Sequence, residues 1–147
     1  MFKSELDASR AFTPLSIAVL AVSDTRTLET DTAGALLKSL MEADGHTCAD
    51  RAVCRDDIQQ IRAQVMTWVA DPAIDAIITT GGTGFSGRDV TPEALEPLFA
   101  KRMDGFSVLF HQYSATTVGT SSLQSRATGG LIGTTFVFAL PGSRGAC

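Results

Sequence analysis

Cysteine is scarce in this chain and histidine scarcer: three cysteines (48, 54 and 147) and two histidines stand among 147 residues. An odd cysteine number without metal-ligand spacing excludes a disulfide framework and fits reduced thiols in a cytoplasmic protein. The Cys48/Cys54 spacing is no redox pair, and His46 and His111, isolated from any Cys or His partner, read as structural. Positive charge is short too. Lysine and arginine number 12 against 16 acids, a formal net charge of −4, whereas a nucleic-acid binder carries a clustered basic stripe. Long apolar runs are missing: IAVLAV (17–22) is far too short to cross a bilayer. The opening MFKSELDASRAFTP carries acids and no apolar h-region, so it does not read as a secretory signal. These shortages exclude nucleic-acid and membrane partners and leave a globular chain of one domain's length.

What is present alternates between two periodicities. SIAVLAV (16–22) is short, β-branched and apolar throughout, as a strand covered on both faces should be. Residues 31–45 then place Leu36, Leu37, Leu40 and Met41 on one helical face, with Gly45 as a stop. A strand is expected over 46–53. A helix over 56–71 carries Ile58, Ile61, Val65, Trp68 and Val69, and a third strand runs over 75–80. TPEALEPLFA (91–100) begins another helix, 104–128 is mostly helical but broken by Gly119, and 134–140 is a late strand. Strands alternating with helices imply parallel βαβ units in a layered α/β domain over 16–147, behind a leader of 15 residues. The segments that leave the strand ends are polar: SDTRTLETD (23–31), CRDD (54–57), TTGGTG (79–84) and PGSRG (141–145). Ligands of open α/β sheets bind outside those ends, so one rim is expected to carry the site.

Glycines 81, 82 and 84 crowd three bare positions into four residues, with Gly87 close behind. Such a loop lets backbone N–H groups approach a ligand and form an anion-binding nest. No Gly-Lys-Ser/Thr follows, and the Gly-x-Gly-x-x-Gly fingerprint is absent, so it is neither a Walker loop nor a dinucleotide motif. Thr91 and Pro92 read as N-cap and first helical residue. Asp89, just outside that cap, has two roles open to it: complementing the helix dipole, or holding magnesium beside substrate phosphates. Asp57 and Gln60 fit a capping box, which leaves Asp56 without a structural role. Asp31 is placed to cap the first helix, and Asp24 points to the rim. Arg88, Arg126 and Arg144 are candidates to neutralise anions, each a weak signal alone.

VSDTR (22–26), ITTGGTGFSGRDVTPEAL (78–95), LQSRA (123–127) and LPGS (140–143), in that order, resemble the molybdenum-cofactor biosynthesis proteins of the MoaB/MogA family, with a lean to the MoaB branch. The resemblance implies a three-layer α/β/α sandwich with a mostly parallel sheet that binds molybdopterin. Adenylyl-transferring members use Mg-ATP to adenylylate molybdopterin before metal insertion; other members bind it without catalysis, as carriers. By motif, Asp56 and Asp89 match the family's catalytic acids and candidate magnesium ligands. Ser23, Asp24, Gly81, Gly82, Thr83, Gly84, Ser125, Arg126, Pro141, Gly142 and Ser143 match ligand-contacting segments. Family members assemble as trimers or hexamers, and FSVLF (106–110) is left over for such an interface. The family pattern also continues with a helix beyond the position of Cys147, and Arg55 stands where many relatives have proline. A nucleotide pyrophosphatase of the related CinA type shares the glycine loop, but LQSRA and LPGS weigh against it.

Overall fold

The computed structural model describes residues 9–147. Of the leader expected over 1–15, residues 1–8 lie outside that described part. Residues 11–15 form no regular element, and Phe12 and Leu15 dock on His46, whose Nδ1 accepts from the Leu15 N–H at 3.0 Å. The chain then runs β1 (Ser16–Val22), α1 (Thr32–Ala43), β2 (Thr47–Cys54), α2 (Ile58–Val69), β3 (Ala76–Thr80), α3 (Thr91–Leu95), β4 (Lys101–Arg102), α4 (Asp104–Val118), β5 (Thr128–Ile132) and β6 (Thr135–Leu140).

The six strands form one sheet in the order β2-β1-β3-β6-β5-β4. β2, β1, β3 and β6 are parallel neighbours, while β5 runs antiparallel to both β6 and β4. The continuous apolar run of β1 is explained by burial on both faces. Ala18, Leu20 and Val22 face Ile61, Val65 and Trp68 of α2 together with Ala94 and Leu95 of α3. Ile17 and Val19 face Leu37 and Met41 of α1, with Phe106 and Phe110 of α4 packed against the same cluster. Helices thus cover both faces, and the architecture is the expected three-layer α/β/α sandwich. Each fully buried Leu or Ile in these layers contributes roughly 1.5–3 kcal/mol.

Four details depart from the sequence expectations. Leu40 is exposed, because the buried face of α1 is Ala33, Gly34, Leu37 and Met41. The helix expected over 91–100 stops at Leu95 and continues only as a 3-10 turn, Glu96–Leu98, since Pro97 cannot supply the N–H a further α-turn needs. The helical stretch expected over 104–128 ends at Val118, gives way to a 3-10 segment over Gly119–Gln124, and finishes in a strand, β5. Finally, Val90 rather than Thr91 occupies the N-cap of α3, and the Thr91 hydroxyl does different work.

The order β2-β1-β3 means that the chain crosses to one side of β1 through α1 and to the other through α2. The crevice between the carboxyl ends of β1 and β3 is therefore the topological switch point. The loops 23–31 and 81–90 leave at that crevice.

Candidate functional site

The glycine loop leaves β3 in a backbone conformation that only glycine adopts without strain. Gly81 has φ +103° and Gly82 φ +72°. A Cβ on Gly81 would stand 2.3 Å from the Val22 carbonyl oxygen of the neighbouring strand, so a close backbone approach and a left-handed turn coincide there. The turn is held by its own carbonyls. The Thr91 hydroxyl donates to the Gly81 oxygen at 2.8 Å and the Thr91 N–H to the Gly82 oxygen at 3.0 Å. Arg126 takes the next two, its N–H and Nε reaching the Thr83 oxygen and its Nε the Gly84 oxygen at 2.9 Å. With those carbonyls engaged, the N–H groups of Gly82, Thr83 and Gly84 have no acceptor among the described residues. Bare, successive N–H groups of this kind make a nest for an anion.

The C-terminal loop closes on this turn. The Thr80 hydroxyl donates to the Pro141 oxygen at 3.1 Å, the Gly81 N–H donates to the Leu140 oxygen at 3.0 Å, and a Cβ on Gly142 would lie 3.2 Å from the Gly81 Cα. Between the two loops and the end of α4 opens a cavity of about 440 Å³. Of the residues expected at the site, Gly81, Gly82, Thr83, Gly84, Asp89, Ser125, Pro141, Gly142 and Ser143 all line it. The sequence reading missed its opposite wall, formed by Ser114, Thr117, Ser121, Ser122 and Gln124. The run SATTVGTSS (114–122), dense in hydroxyls on a helical stretch, was the signal that pointed there. His111 pins that wall: its ring nitrogens lie 2.7 Å from the carbonyl oxygens of Ser107 and Ser125.

The remaining expected residues lie outside the cavity. Ser23 caps its own turn, its hydroxyl accepting from the N–H groups of Thr25 and Arg26. Asp24 accepts from the Asp56 N–H at 3.1 Å and pairs with Arg88 at 3.8 Å. Ser23 and Asp24 line a separate recess with Arg26, Arg51 and Arg55. Arg126 is spent within the protein: besides Thr83 and Gly84, it donates to the Asp89 oxygen at 2.9 Å, pairs with Glu93 and lies over the Phe85 ring. The Asp57 and Asp31 side chains cap α2 and α1, as their positions imply.

Asp56 stands behind the nest, its Oδ1 3.1 Å from where a Gly82 Cβ would be. Burial, then the charges of Asp24 and Asp89, push its pKa above the ordinary aspartate range, against smaller opposing pulls from Arg88 and from the Asp24 backbone N–H. Because the folded value is raised, ionising Asp56 costs stability at neutral pH and costs nothing below the ordinary aspartate range. Asp56→Asn is therefore expected to stabilise the protein at pH 7 by ~0.5 kcal/mol, the scale of a partly screened surface charge pair. The gain should fade as pH falls to 4 and below. Thermal unfolding across that range checks it, and a variant less stable than wild type at pH 7 refutes it. The neighbouring Cys54 thiol is pushed up to about 11 by burial, with Asp56 and Asp57 adding to it, so it stays protonated and unreactive.

Among the described residues no helix is long and apolar enough to cross a membrane, and no group of three or more His, Cys, Asp or Glu is arranged to hold a metal ion. Two acids, Asp56 and Asp89, flank the nest.

Comparison with known proteins agrees with this geometry. The family described as "Probable molybdopterin binding domain" matches residues 18–147. Molybdenum cofactor biosynthesis protein B of Escherichia coli K12 is 42% identical over 139 residues, covering 95% of this chain and 82% of its own. The protein of the same name from Staphylococcus carnosus is 47% identical over 135 residues, covering 90% of this chain and 79% of its own. A crystal structure of a molybdenum cofactor biosynthesis protein B superposes with a TM-score of 0.89 at 39% identity, over 93% of this chain and 86% of that one. With the family matched across the fold and the glycine nest formed at its switch point, the chain belongs to the MoaB/MogA family of molybdenum cofactor biosynthesis proteins.

Proposed function

We propose that the chain binds molybdopterin in the 440 Å³ cavity and transfers an adenylyl group to it from Mg-ATP. The observation that carries the reading is the row of unpaired N–H groups at Gly82, Thr83 and Gly84, set beside Asp89 and in front of Asp56. The nest would hold phosphate, and the hydroxyl-rich wall of α4 would face the pterin. An oxygen of the molybdopterin phosphate attacks the α-phosphorus of ATP; the new P–O bond forms as the bond to pyrophosphate breaks. No side-chain nucleophile is required, because such transfers depend on positioning and charge neutralisation.

Magnesium fits the donor set on chemical grounds. The charges that push up Asp56 come from two other carboxylates, an excess of negative charge that a divalent cation relieves. Magnesium also needs only one or two carboxylates when phosphates supply the rest. Asp56 and Asp89 would hold it, and it would neutralise the phosphate charge that builds up during transfer. Incubating the purified protein with molybdopterin, ATP and Mg²⁺, then separating the products by chromatography, tests the reading. Adenylylated molybdopterin and pyrophosphate are expected in equal amounts. Tight pterin binding without product would make the protein a carrier; pyrophosphate released from ATP without pterin would make it a pyrophosphatase.

The same reading places the protein in the cytoplasm, a reducing setting that suits three free thiols. It also makes the protein a homo-oligomer, trimer or hexamer. No residue of α4 is buried, and Val108, Leu109 and Tyr113 are exposed on it, an apolar surface for copies to share. Light scattering at micromolar concentration should give a multiple of the 15.5 kDa chain, and a monomer removes this part of the reading.

A further inference from the structure

Arg126 was expected among the residues that touch ligand, yet its guanidinium faces the glycine loop. Nε donates to Gly84 at 2.9 Å and Nη2 to Asp89 at 2.9 Å, so one planar group grips the carbonyls at both ends of residues 84–89. The remaining terminal nitrogen pairs with Glu93 of α3, and the Phe85 ring lies 5.6 Å below the guanidinium carbon. The other contacts of this segment are local: the Ser86 N–H to the Asp89 carboxylate, the Asp89 N–H back to the Ser86 oxygen, and the Arg88 N–H to the Ser86 hydroxyl. Beyond them, among the described residues, lies only the long, exposed Arg88–Asp24 pair at 3.8 Å. The first half of the turn does not depend on Arg126, since Thr91 holds Gly81 and Gly82.

We propose that Arg126, braced by Glu93, is a positioning residue: it clamps the Gly84–Asp89 segment so that the Asp89 carboxylate is held at the cavity, and it does not itself touch the ligand. The inference rests on the reading of Asp89 as an acid that acts on bound phosphate. Arginine suits the task because its rigid fork presents donors in one plane to two separated carbonyls. A lysine ammonium is a point charge that cannot span them.

Arg126→Lys and Glu93→Gln are the variants to make in the full chain, the second being the milder in case the first unfolds. Amide exchange by mass spectrometry should speed up at least tenfold over 84–90 in Arg126→Lys and less in Glu93→Gln, while 76–80 and 135–140 keep their wild-type rates. In the adenylylation assay kcat should fall at least tenfold, with KM for molybdopterin within about threefold. Exchange over 84–90 at the wild-type rate in Arg126→Lys overturns the proposal. So does a raised KM with unchanged kcat, which is the mark of a ligand contact. If Arg126→Lys unfolds globally, unchanged loop exchange in Glu93→Gln overturns it instead. Wild-type protein that fails to adenylylate would sink the enzymatic reading before any variant is made, and the exchange measurement would still decide what Arg126 does.

Discussion

Asp89→Asn is expected to lower adenylyl transfer by roughly 10²–10³, or ~2.7–4 kcal/mol, the scale seen when one stabilising group is removed from a developing charge. Molybdopterin affinity should barely change. The contacts of Asp89 lead to both expectations. The Asp89 carboxylate accepts the Ser86 N–H at 3.0 Å, and asparagine retains an oxygen for that bond. The Asp89 backbone oxygen stays gripped by Arg126, and the N–H groups of the nest belong to other residues. On the proposed reading only a charge beside the bound phosphate is lost, so the cost is expected to fall on the transition state and not on the bound ligand. Asp56→Asn should behave alike in activity, and the double variant should cost less than the product of the two if both act on one magnesium. Combined with the small stability gain expected for Asp56→Asn, this would mark Asp56 as an acid kept at a cost to the fold. Single-turnover rates decide the matter. Undiminished transfer in both single variants would remove these acids from the chemistry.

Gly82→Val should abolish molybdopterin binding and also lower stability, by a route other than simple intrusion into the cavity. A Cβ on Gly82 would lie 2.3 Å from the Thr91 hydroxyl oxygen and 3.1 Å from the Asp56 carboxylate, on a backbone at φ +72°. The substituent therefore strikes the hydroxyl that secures the Gly81 carbonyl, and the nest loses its shape before the cavity fills. A left-handed conformation costs an ordinary residue roughly 1–2 kcal/mol and a β-branched one more. For a chain near this size, ~2 kcal/mol corresponds to about 4–8 °C in Tm. The sheet and its two helical layers should survive, because the clusters around Leu20 and Val19 lie away from the loop. Calorimetric titration with molybdopterin alongside scanning calorimetry checks both halves. Wild-type affinity would reduce the loop to a simple turn, and an unshifted Tm would show that the turn absorbs the strain.

The parallel half of the fold was legible from period alone. Residues 16–22 are apolar throughout because β1 is covered on both faces, and Ile61, Val65 and Trp68 recur at helical spacing because α2 presents one face to that sheet. The positions of Asp31 and Asp57 before helical runs declared them caps, and both are. Glycines 81, 82 and 84 announced a loop that needs bare backbone: Gly81 and Gly82 take a left-handed conformation, and a Cβ on Gly84 would lie 2.8 Å from the Asp89 carboxylate. Local sequence determines such features because each depends on contacts within a few residues, or on the bare fact of burial.

What the tertiary structure alone decided involves partners distant in sequence. None of the expected strands covers 129–132, where two glycines are adjacent. They are there because a Cβ at Gly130 would lie 2.5 Å from the Phe99 ring, an encounter across 31 positions that no local pattern encodes. Thr91 resembles an N-cap by composition, yet its hydroxyl is drawn ten residues back to Gly81. Arg126 resembles an anion ligand by charge, yet each of its three guanidinium nitrogens bonds to a carbonyl or a carboxylate, groups that approach only when β5 docks beside β6. A side chain's type states which bonds it can make. Which of them it makes depends on the groups that packing brings within about 3 Å, and in this protein those groups lie tens of residues away.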